Sequence, residues 1–191
     1  MINGPVWLMQ PIPYFGERIS DEWIYEPKID GWRMQIIRYD DGHVECWGRR
    51  LERKPNWSQK LEKIVNMAER KLPKGIILDC ELFSTRSRRF IPSLFAKKPK
   101  AKPIIYVFDV VFFDNELVAS LHLHERKKIL DTLNLKPPFY FLRGRKLVDI
   151  RRNYKQVVAR GSEGIVIKKI DSPYLIGKDA PIATHYWRKV K

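Results

Sequence analysis

The sequence predicts an α+β fold in which mostly antiparallel sheets carry a few helices on their faces. Short apolar runs recur along the chain, and three segments have apolar residues at helical spacing. Asp40-Asp41-Gly42, between two of the apolar runs, is typical of a hairpin turn. The chain has 191 residues, of which 44% are hydrophobic, and this suffices for one substantial core.

The predicted strands are short runs rich in β-branched and aromatic residues. In chain order they cover residues 23–28, 32–38, 44–47, 76–83, 104–113, 165–169 and 185–191. Helices are predicted over residues 58–72, 124–133 and 149–160. Asp149 is a typical N-cap for the last helix and Gly161 a typical stop.

The charge balance points to a polyanionic partner. Lysine and arginine number 37 against 22 acidic residues, which gives a formal net charge of +15. Such an excess favours nucleic acid, although a basic protein without that partner is the alternative. Residues 97–103 form a basic, proline-punctuated loop, which is either a solvated connector or a phosphate contact reinforced by Arg86, Arg88 and Arg89.

Two further classes of protein are disfavoured. Cys46 and Cys80 lie far apart in sequence and no histidines cluster, so a zinc site or a disulfide framework is not expected. No apolar run approaches the roughly 18 residues of a membrane span, and no secretory leader pattern is present at Met1. We therefore expect a cytoplasmic protein without a membrane partner.

The most informative segment is Glu26-Pro27-Lys28-Ile29-Asp30-Gly31-Trp32-Arg33. It places a lysine at the end of a predicted strand, directly before a turn that contains Asp and Gly. A lysine on a solvated surface is a poor nucleophile, because at a pKa near 10.4 only about one in 2,500 is neutral at pH 7. Lys28 is therefore a candidate nucleophile only if the rest of the chain builds a site around it.

Two strands supply candidate partners. Asp79 and Glu81 lie two residues apart in an apolar strand, so both side chains face the same side. Carboxylates in such a strand form a salt bridge or bind a cation or hydroxyl groups. Residues 106–113 form another, very apolar strand, in which an aromatic side chain is either a core residue or one that stacks on a purine.

The last two strands add an acid and two lysines. Glu163 stands at the entry to a strand and is a candidate ligand for a divalent metal. Trp187, Lys189 and Lys191 alternate along the final strand and share one face. Lysines on one strand face suit a polyphosphate, whereas the alternative is a frayed basic tail.

Taken together, these segments resemble the covalent nucleotidyltransferases, and in order and form they are similar to ATP-dependent DNA ligases. Lys28-Ile29-Asp30-Gly31-Trp32-Arg33 matches the family's KxDGxR lysine motif. The later motifs follow in the family's order over nearly the whole chain, and Glu163-Gly164 is the ligase form of one of them. The resemblance implies an ATP-grasp-like nucleotidyltransferase fold of mostly antiparallel sheets flanked by helices, and an enzyme of DNA repair, replication and recombination.

The resemblance also implies roles for individual residues. Lys28 would attack the α-phosphate of ATP to form a lysyl-AMP intermediate, and AMP would then pass to a 5′-phosphate at a DNA nick. ATP and Mg²⁺ (or Mn²⁺) are the implied cofactors, with Glu81 and Glu163 as metal ligands. The residues implied to bind the nucleotide are Glu26, Arg33, Arg49, Glu81, Phe108, Lys189 and Lys191.

The sequence departs from the family's pattern in two respects. Where DNA ligases usually carry Ser-Arg-Asn, this chain has Gly48-Arg49-Arg50, which retains only the arginine. Residues 1–191 are expected to form a single adenylation domain, with the OB-fold and N-terminal DNA-binding domains of the family absent. The expected partners are nicked double-stranded DNA and, for full activity, an OB-fold domain. The chain is expected to be monomeric.

Two alternative functions stay open at this point. An RNA ligase would use the same lysyl-AMP chemistry on a different acceptor. A non-catalytic nucleic-acid-binding module would use only the positive charge.

Overall fold

The computed structural model describes residues 1–20 and 22–191. Its strands are β1 (Gln10–Pro13), β2 (Trp23–Pro27), β3 (Trp32–Arg38), β4 (Val44–Gly48), β5 (Ile76–Ser84), β6 (Pro103–Phe113), β7 (Glu116–Leu117), β8 (Phe139–Phe141), β9 (Arg145–Lys146), β10 (Ile165–Lys169) and β11 (Ala183–Val190). The α-helices are α1 (Glu62–Lys71), α2 (Leu123–Thr132) and α3 (Ile150–Val158). Short 3₁₀ helices cover Leu51–Arg53 and Arg88–Phe95.

The strands form two sheets. One has the order β1-β11-β10-β2-β9, and the other has the order β4-β3-β5-β6-β7, with β8 pairing with β6. Neighbouring strands are antiparallel except in the β1–β11 and β6–β8 pairs. The predicted α+β class with mostly antiparallel sheets is therefore confirmed.

Apolar clusters cover the sheets on both faces and lie between them. Between the sheets, Ile37, Ile77 and Val111 belong to the same cluster as Tyr174 and Trp187. The outer face of the six-stranded sheet is covered by α1 and α2, and α3 packs on the five-stranded sheet. Because apolar residues join the inner faces only along part of their length, the remaining part forms an open cleft.

The sequence predicted the long strands well and missed the short ones. Residues 32–38 and 165–169 were predicted with their observed limits. The strand β1 was not predicted, since it contains Pro11 and Pro13, which lack the N–H donor of a strand interior. It is accommodated because it lies at the edge of its sheet.

Helices α1 and α3 are shorter than predicted, whereas α2 has the predicted length and begins one residue earlier. Helix α1 begins at Glu62 rather than at residue 58, because residues 58–61 form turns. The hydroxyl of Ser58 accepts a hydrogen bond from Cys46 N at 2.9 Å, so this segment is held against β4. The Asp149 cap is confirmed, since its side chain accepts a hydrogen bond from Arg152 N at 2.6 Å.

The hairpin turn also matches expectation. Gly42 has a φ of +97°, which a glycine adopts without strain, and its N–H donates to Tyr39 O. Cys46 and Cys80 are buried free thiols. Across the described part of the chain, no helix has both the length and the apolar character needed to cross a membrane.

Candidate active site

Three charged residues meet where strands β2, β10 and β11 of the five-stranded sheet begin or end. Because β10 runs antiparallel to both β2 and β11, its start lies beside the ends of both strands. Lys28 follows β2, Glu163 precedes β10 and Lys191 follows β11. Lys28 N donates to Gly164 O at 2.8 Å, and Glu163 N donates to Lys28 O at 3.3 Å. The strand order thus brings distant segments of the sequence to one place.

Glu163 binds both lysines. Its Oε2 accepts from Lys28 Nζ, and its Oε1 forms an ion pair with Lys191 Nζ. Burial opposes ionisation of this carboxyl, but the hydrogen bonds from Lys191 and Lys28 outweigh it and lower the pKa of Glu163. The Lys28 side chain is 21% exposed, so its amine is accessible from the cleft.

Two glycines allow the backbones around Lys28 to approach closely. A Cβ on Gly31 would overlap the backbone oxygen of Leu82, and one on Gly164 would overlap that of Val190. Any side chain at either position would force the strands apart. The glycines of the lysine motif and of Glu163-Gly164 are therefore required by packing.

Asp30 does not contact the lysine that it follows by two residues. It forms an ion pair with Arg88 Nη1 at 2.7 Å, and both side chains are exposed at the rim of the cleft. The carboxylate that contacts Lys28 is Glu163. Asp30 is close to Lys28 in the sequence, but nothing in the sequence indicates these two ion pairs, because both depend on tertiary contacts.

Arg33 is held by the neighbouring strand β5. Its Nε and Nη2 donate to the two oxygens of Asp79 at 2.9 and 2.6 Å, and Nη2 also donates to Met9 O at 2.6 Å. Asp79 thus forms the salt bridge that was one of its two predicted roles. Within the described residues, Arg33 Nη1 makes no hydrogen bond, and this nitrogen is the part of the guanidinium left for a ligand.

Glu81 lies on the same face of β5, as predicted. Burial raises its pKa to about 7, although the nearby cations Arg33, Lys28 and Arg49 act in the opposite direction. A carboxyl group with such a pKa changes its charge near neutral pH, and perturbed groups of this kind are frequent at functional sites.

A second ionic cluster lies deeper in the cleft. Glu26, which is 2% exposed, forms ion pairs with Lys127 Nζ through Oε1 and with Lys168 Nζ through Oε2, the latter at 2.8 Å. Lys168 Nζ lies 4.7 Å from the centre of the Phe108 ring and 3.9 Å from that of Trp187. Burial lowers the pKa of Lys168 to about 8, and the Glu26 carboxylate opposes this effect.

Sequence reasoning gave no role to Lys127 or Lys168. Strand alternation predicts that Lys168 lies on the same face of its strand as Val166. In the structure both residues line the cleft. For Lys127 there was no such signal, since a lysine on an amphipathic helix usually faces solvent.

The two clusters border one cleft of about 760 Å³ between the sheets. Trp187 lies at its floor, 6.2 Å from Phe108 between ring centres. Every residue that the sequence predicted for the site lines this cleft, namely Glu26, Lys28, Arg33, Arg49, Glu81, Phe108, Glu163, Lys189 and Lys191.

The carboxylates of the cleft can be compared with those that hold Mg²⁺ in other proteins. Within residues 1–20 and 22–191, no group of three or more His, Cys, Asp or Glu side chains is arranged to hold a metal. Mg²⁺ is commonly held by one or two carboxylates together with substrate phosphates and water. Glu81 and Glu163 both line the cleft, so these two carboxylates fit that pattern.

Comparison with known proteins decides the family. The sequence model described as "ATP dependent DNA ligase domain" matches residues 9–191. The chain belongs to this family. It is a member of the adenylation-domain family of ATP-dependent DNA ligases, as the order of its motifs predicted.

Curated relatives in this family are DNA ligases of greater length. The chain is 30% identical to the SPbeta prophage-derived DNA ligase-like protein LigB of Bacillus subtilis, covering 91% of this chain and 63% of that protein. It is 28% identical to the DNA ligase of Archaeoglobus fulgidus, covering 89% and 31% respectively. The chain therefore spans about a third to two thirds of these relatives.

Solved ligase structures share the fold. A mycobacterial DNA ligase D complexed with ATP and MES superposes with a TM-score of 0.73 at 20% identity, over 95% of this chain and 59% of that one. Chlorella virus DNA ligase-adenylate gives a TM-score of 0.71 at 19% identity, over 96% and 67%. The predicted nucleotidyltransferase fold is thereby confirmed.

Proposed function

We propose that this ligase-family domain forms a covalent lysyl-AMP intermediate on Lys28 and passes AMP to the 5′-phosphate at a nick in duplex DNA. The observation that carries the proposal is the position of Lys28, at the edge of the sheet and in contact with Glu163. Around it, one cleft gathers a buried carboxylate, an aromatic ring and several cations. This is the set of groups that a nucleoside triphosphate requires.

The adenine end of ATP would enter the deeper cluster. Phe108 offers a ring face for stacking, and Glu26 offers carboxylate oxygens that accept a hydrogen bond from the exocyclic amino group. Arg33, Arg49 and Glu81 would hold the ribose and the α-phosphate. Of these, Arg33 would act through Nη1, because its other donors are bound to Asp79 and Met9.

The chemical step requires a neutral amine at Lys28. Nζ must lose a proton and separate from the Glu163 carboxylate before its lone pair can attack the α-phosphorus. As the N–P bond forms, the bond from the α-phosphorus to the bridging oxygen breaks and pyrophosphate leaves. Lys189 and Lys191 lie at the same cleft and would stabilise the negative charge that develops on phosphate oxygens.

Glu81 and Glu163 would hold Mg²⁺. The metal would screen the phosphate charges and make pyrophosphate a better leaving group. To hold the metal, Glu163 would have to share or give up its ion pair with Lys28.

Nicked DNA is the proposed acceptor, and the exposed segment 85–102 supports it. This segment carries seven lysines and arginines and no acidic residue. Its charged side chains are exposed, and Arg88 connects it to the rim of the cleft through Asp30. A surface with so many exposed positive charges at the rim of the cleft suits a phosphate backbone. In the second step the AMP moves to the 5′-phosphate, and the neighbouring 3′-hydroxyl then displaces AMP and closes the strand.

Several features of the wider protein belong to the same proposal. Residues 1–191 would act as a single adenylation domain, monomeric and cytoplasmic. An OB-fold domain, in the same protein or as a partner, would be needed for full activity.

The deciding experiment is intact-mass measurement after incubation with ATP and Mg²⁺. An added mass of one AMP, lost on addition of pyrophosphate, supports the proposal. Absence of any adduct on the folded protein would remove the enzymatic proposal. Transfer of AMP from the isolated adduct to nicked DNA or to nicked RNA then distinguishes the DNA ligase from the RNA ligase.

A further inference from the structure

Lys127, on α2, contacts three separate parts of the cleft wall. Its Nζ donates to Phe108 O at 2.7 Å and to Leu142 O at 3.1 Å, and it forms an ion pair with Glu26 Oε1. Its side chain is only 12% exposed. Two of these contacts are hydrogen bonds to backbone oxygens, and the third is an ion pair with a buried carboxylate.

These contacts connect the two sheets. Glu26 belongs to β2 of the five-stranded sheet, whereas Phe108 belongs to β6 of the six-stranded sheet. Leu142, which also lines the cleft, follows β8. A single ammonium therefore sets how far the Glu26 carboxylate lies from the Phe108 backbone. Lys127 itself is absent from the residues that line the cleft, so it does not reach a ligand directly.

The carboxylate of Glu26 has a second support in Lys168. With one ammonium on each oxygen, Glu26 is fixed in both position and rotation. Loss of Lys127 would leave Lys168 as the remaining partner, and the carboxylate could then pivot about that ion pair. The buried setting makes the change costly, because Glu26 is 2% exposed and water would not readily replace the missing donor.

We propose that Lys127 is a positioning residue for base selection, which holds Glu26 at a fixed place relative to Phe108. It rests on the proposed function, in which Glu26 accepts from the adenine amino group and Phe108 stacks on the ring. Guanine carries a carbonyl oxygen at the position of that amino group, and two acceptors repel each other. A fixed carboxylate therefore rejects guanine, whereas a pivoting one discriminates less.

The test measures self-adenylation with two nucleotides. One is ATP, and the other is purine riboside triphosphate, which lacks the 6-amino group. In Lys127→Met the stem is kept and the donors are removed. We expect kcat/KM for ATP to fall by about 10- to 100-fold, mainly through KM. For purine riboside triphosphate the fall should be several-fold smaller, so that selectivity for ATP shrinks.

Two further variants complete the test. Lys128→Met changes the next residue on the same helix, which is exposed, and should leave both rates unchanged. Lys127→Arg keeps a charged donor and should restore part of the selectivity. If Lys127→Met does not fold, Lys127→Gln serves in its place.

The outcomes separate this proposal from the proposed function. Equal losses with both nucleotides, or no loss with either, would overturn the positioning role while leaving lysyl-AMP formation intact. Failure of the unmodified protein to form any adduct would instead overturn the proposed function. If Lys127→Met selects ATP over GTP as strongly as the unmodified protein does, the positioning role is also contradicted.

Discussion

Lys28 and Glu163 form a direct ion pair although 135 positions separate them in the sequence. The pair exists because β2 and β10 are antiparallel neighbours, so the residue after one strand faces the residues before the other. The proposed nucleophile, Lys28, is therefore bound to a carboxylate from which it must separate before it can react.

Lys28→Ala should abolish the covalent AMP adduct, because no other residue at the sheet edge would present its amine in the same place. The measurement is intact mass after incubation with ATP and Mg²⁺. Lys63→Ala, an exposed lysine on α1, serves as the control and should label as the unmodified protein does. Equal labelling of the Lys28 variant would show that the nucleophile lies elsewhere.

Glu163→Gln should slow adduct formation by about 100-fold and raise the Mg²⁺ concentration needed for half-maximal rate. The amide retains the shape of the side chain but loses the charge that binds Lys28, Lys191 and the proposed metal. Single-turnover rates across a Mg²⁺ titration give both quantities. Glu116→Gln, at an exposed position of β7, is the matched control. An unchanged Mg²⁺ requirement would remove Glu163 from the proposed metal site.

Glu81 should make stability depend on pH. Its pKa in the folded protein is about 7, above the ordinary value of 4.5, so the folded state binds the proton more tightly. The contribution to stability is therefore full below pH 4.5 and is lost as pH rises to 7. It amounts to at most about 3 kcal/mol, since one pKa unit corresponds to about 1.4 kcal/mol. Urea unfolding of the unmodified protein and of Glu81→Gln at pH 5 and pH 8 measures the difference, which should favour the unmodified protein at the lower pH.

Breaking the buried Asp109–Arg126 pair should destabilise the fold strongly. Both side chains are fully buried and are joined by hydrogen bonds of 2.8 and 3.1 Å. Asp109→Asn leaves the guanidinium without its counter-charge, and we expect a loss of about 3–5 kcal/mol in the free energy of unfolding. Asp131→Asn, which breaks the exposed pair with Arg143, should change it by under about 1 kcal/mol. Equal effects of the two variants in urea unfolding would contradict this account.

The basic segment should contribute to DNA binding through charge. Replacing Lys97, Lys98 and Lys100 together by Gln should weaken binding to a nicked duplex and flatten its dependence on salt. Each phosphate that the variant no longer neutralises lowers the slope of log K against log salt by about 0.9. Fluorescence anisotropy at several salt concentrations measures this slope, while adduct formation with ATP should stay unchanged.

The control is a second triple variant, in which Gln replaces three exposed lysines that do not line the cleft. These are Lys60, Lys63 and Lys74. If both triple variants lose affinity equally, the effect is one of net charge and segment 85–102 has no special role.

The cleft residues were predictable because each lies on or beside a strand with a clear pattern. Glu81 and Lys189 follow from alternation, and Lys28 and Glu163 stand next to apolar runs whose ends are evident. What the sequence could not reveal is which charges pair. Asp30 is nearer to Lys28 along the chain, yet Glu163 contacts the lysine, because sheet register and not sequence distance decides the pairing. Lys127 was missed because it lies on a helix, where a lysine usually faces solvent.

The close approach at Gly164 has a consequence for how this chain can diverge. A side chain there would push against Val190 and separate β10 from β11. That displacement would move Glu163 away from Lys191, since each adjoins one of those strands, and would break the ion pair between them. A single substituted glycine would therefore disturb two functional groups at once, although it changes neither of them.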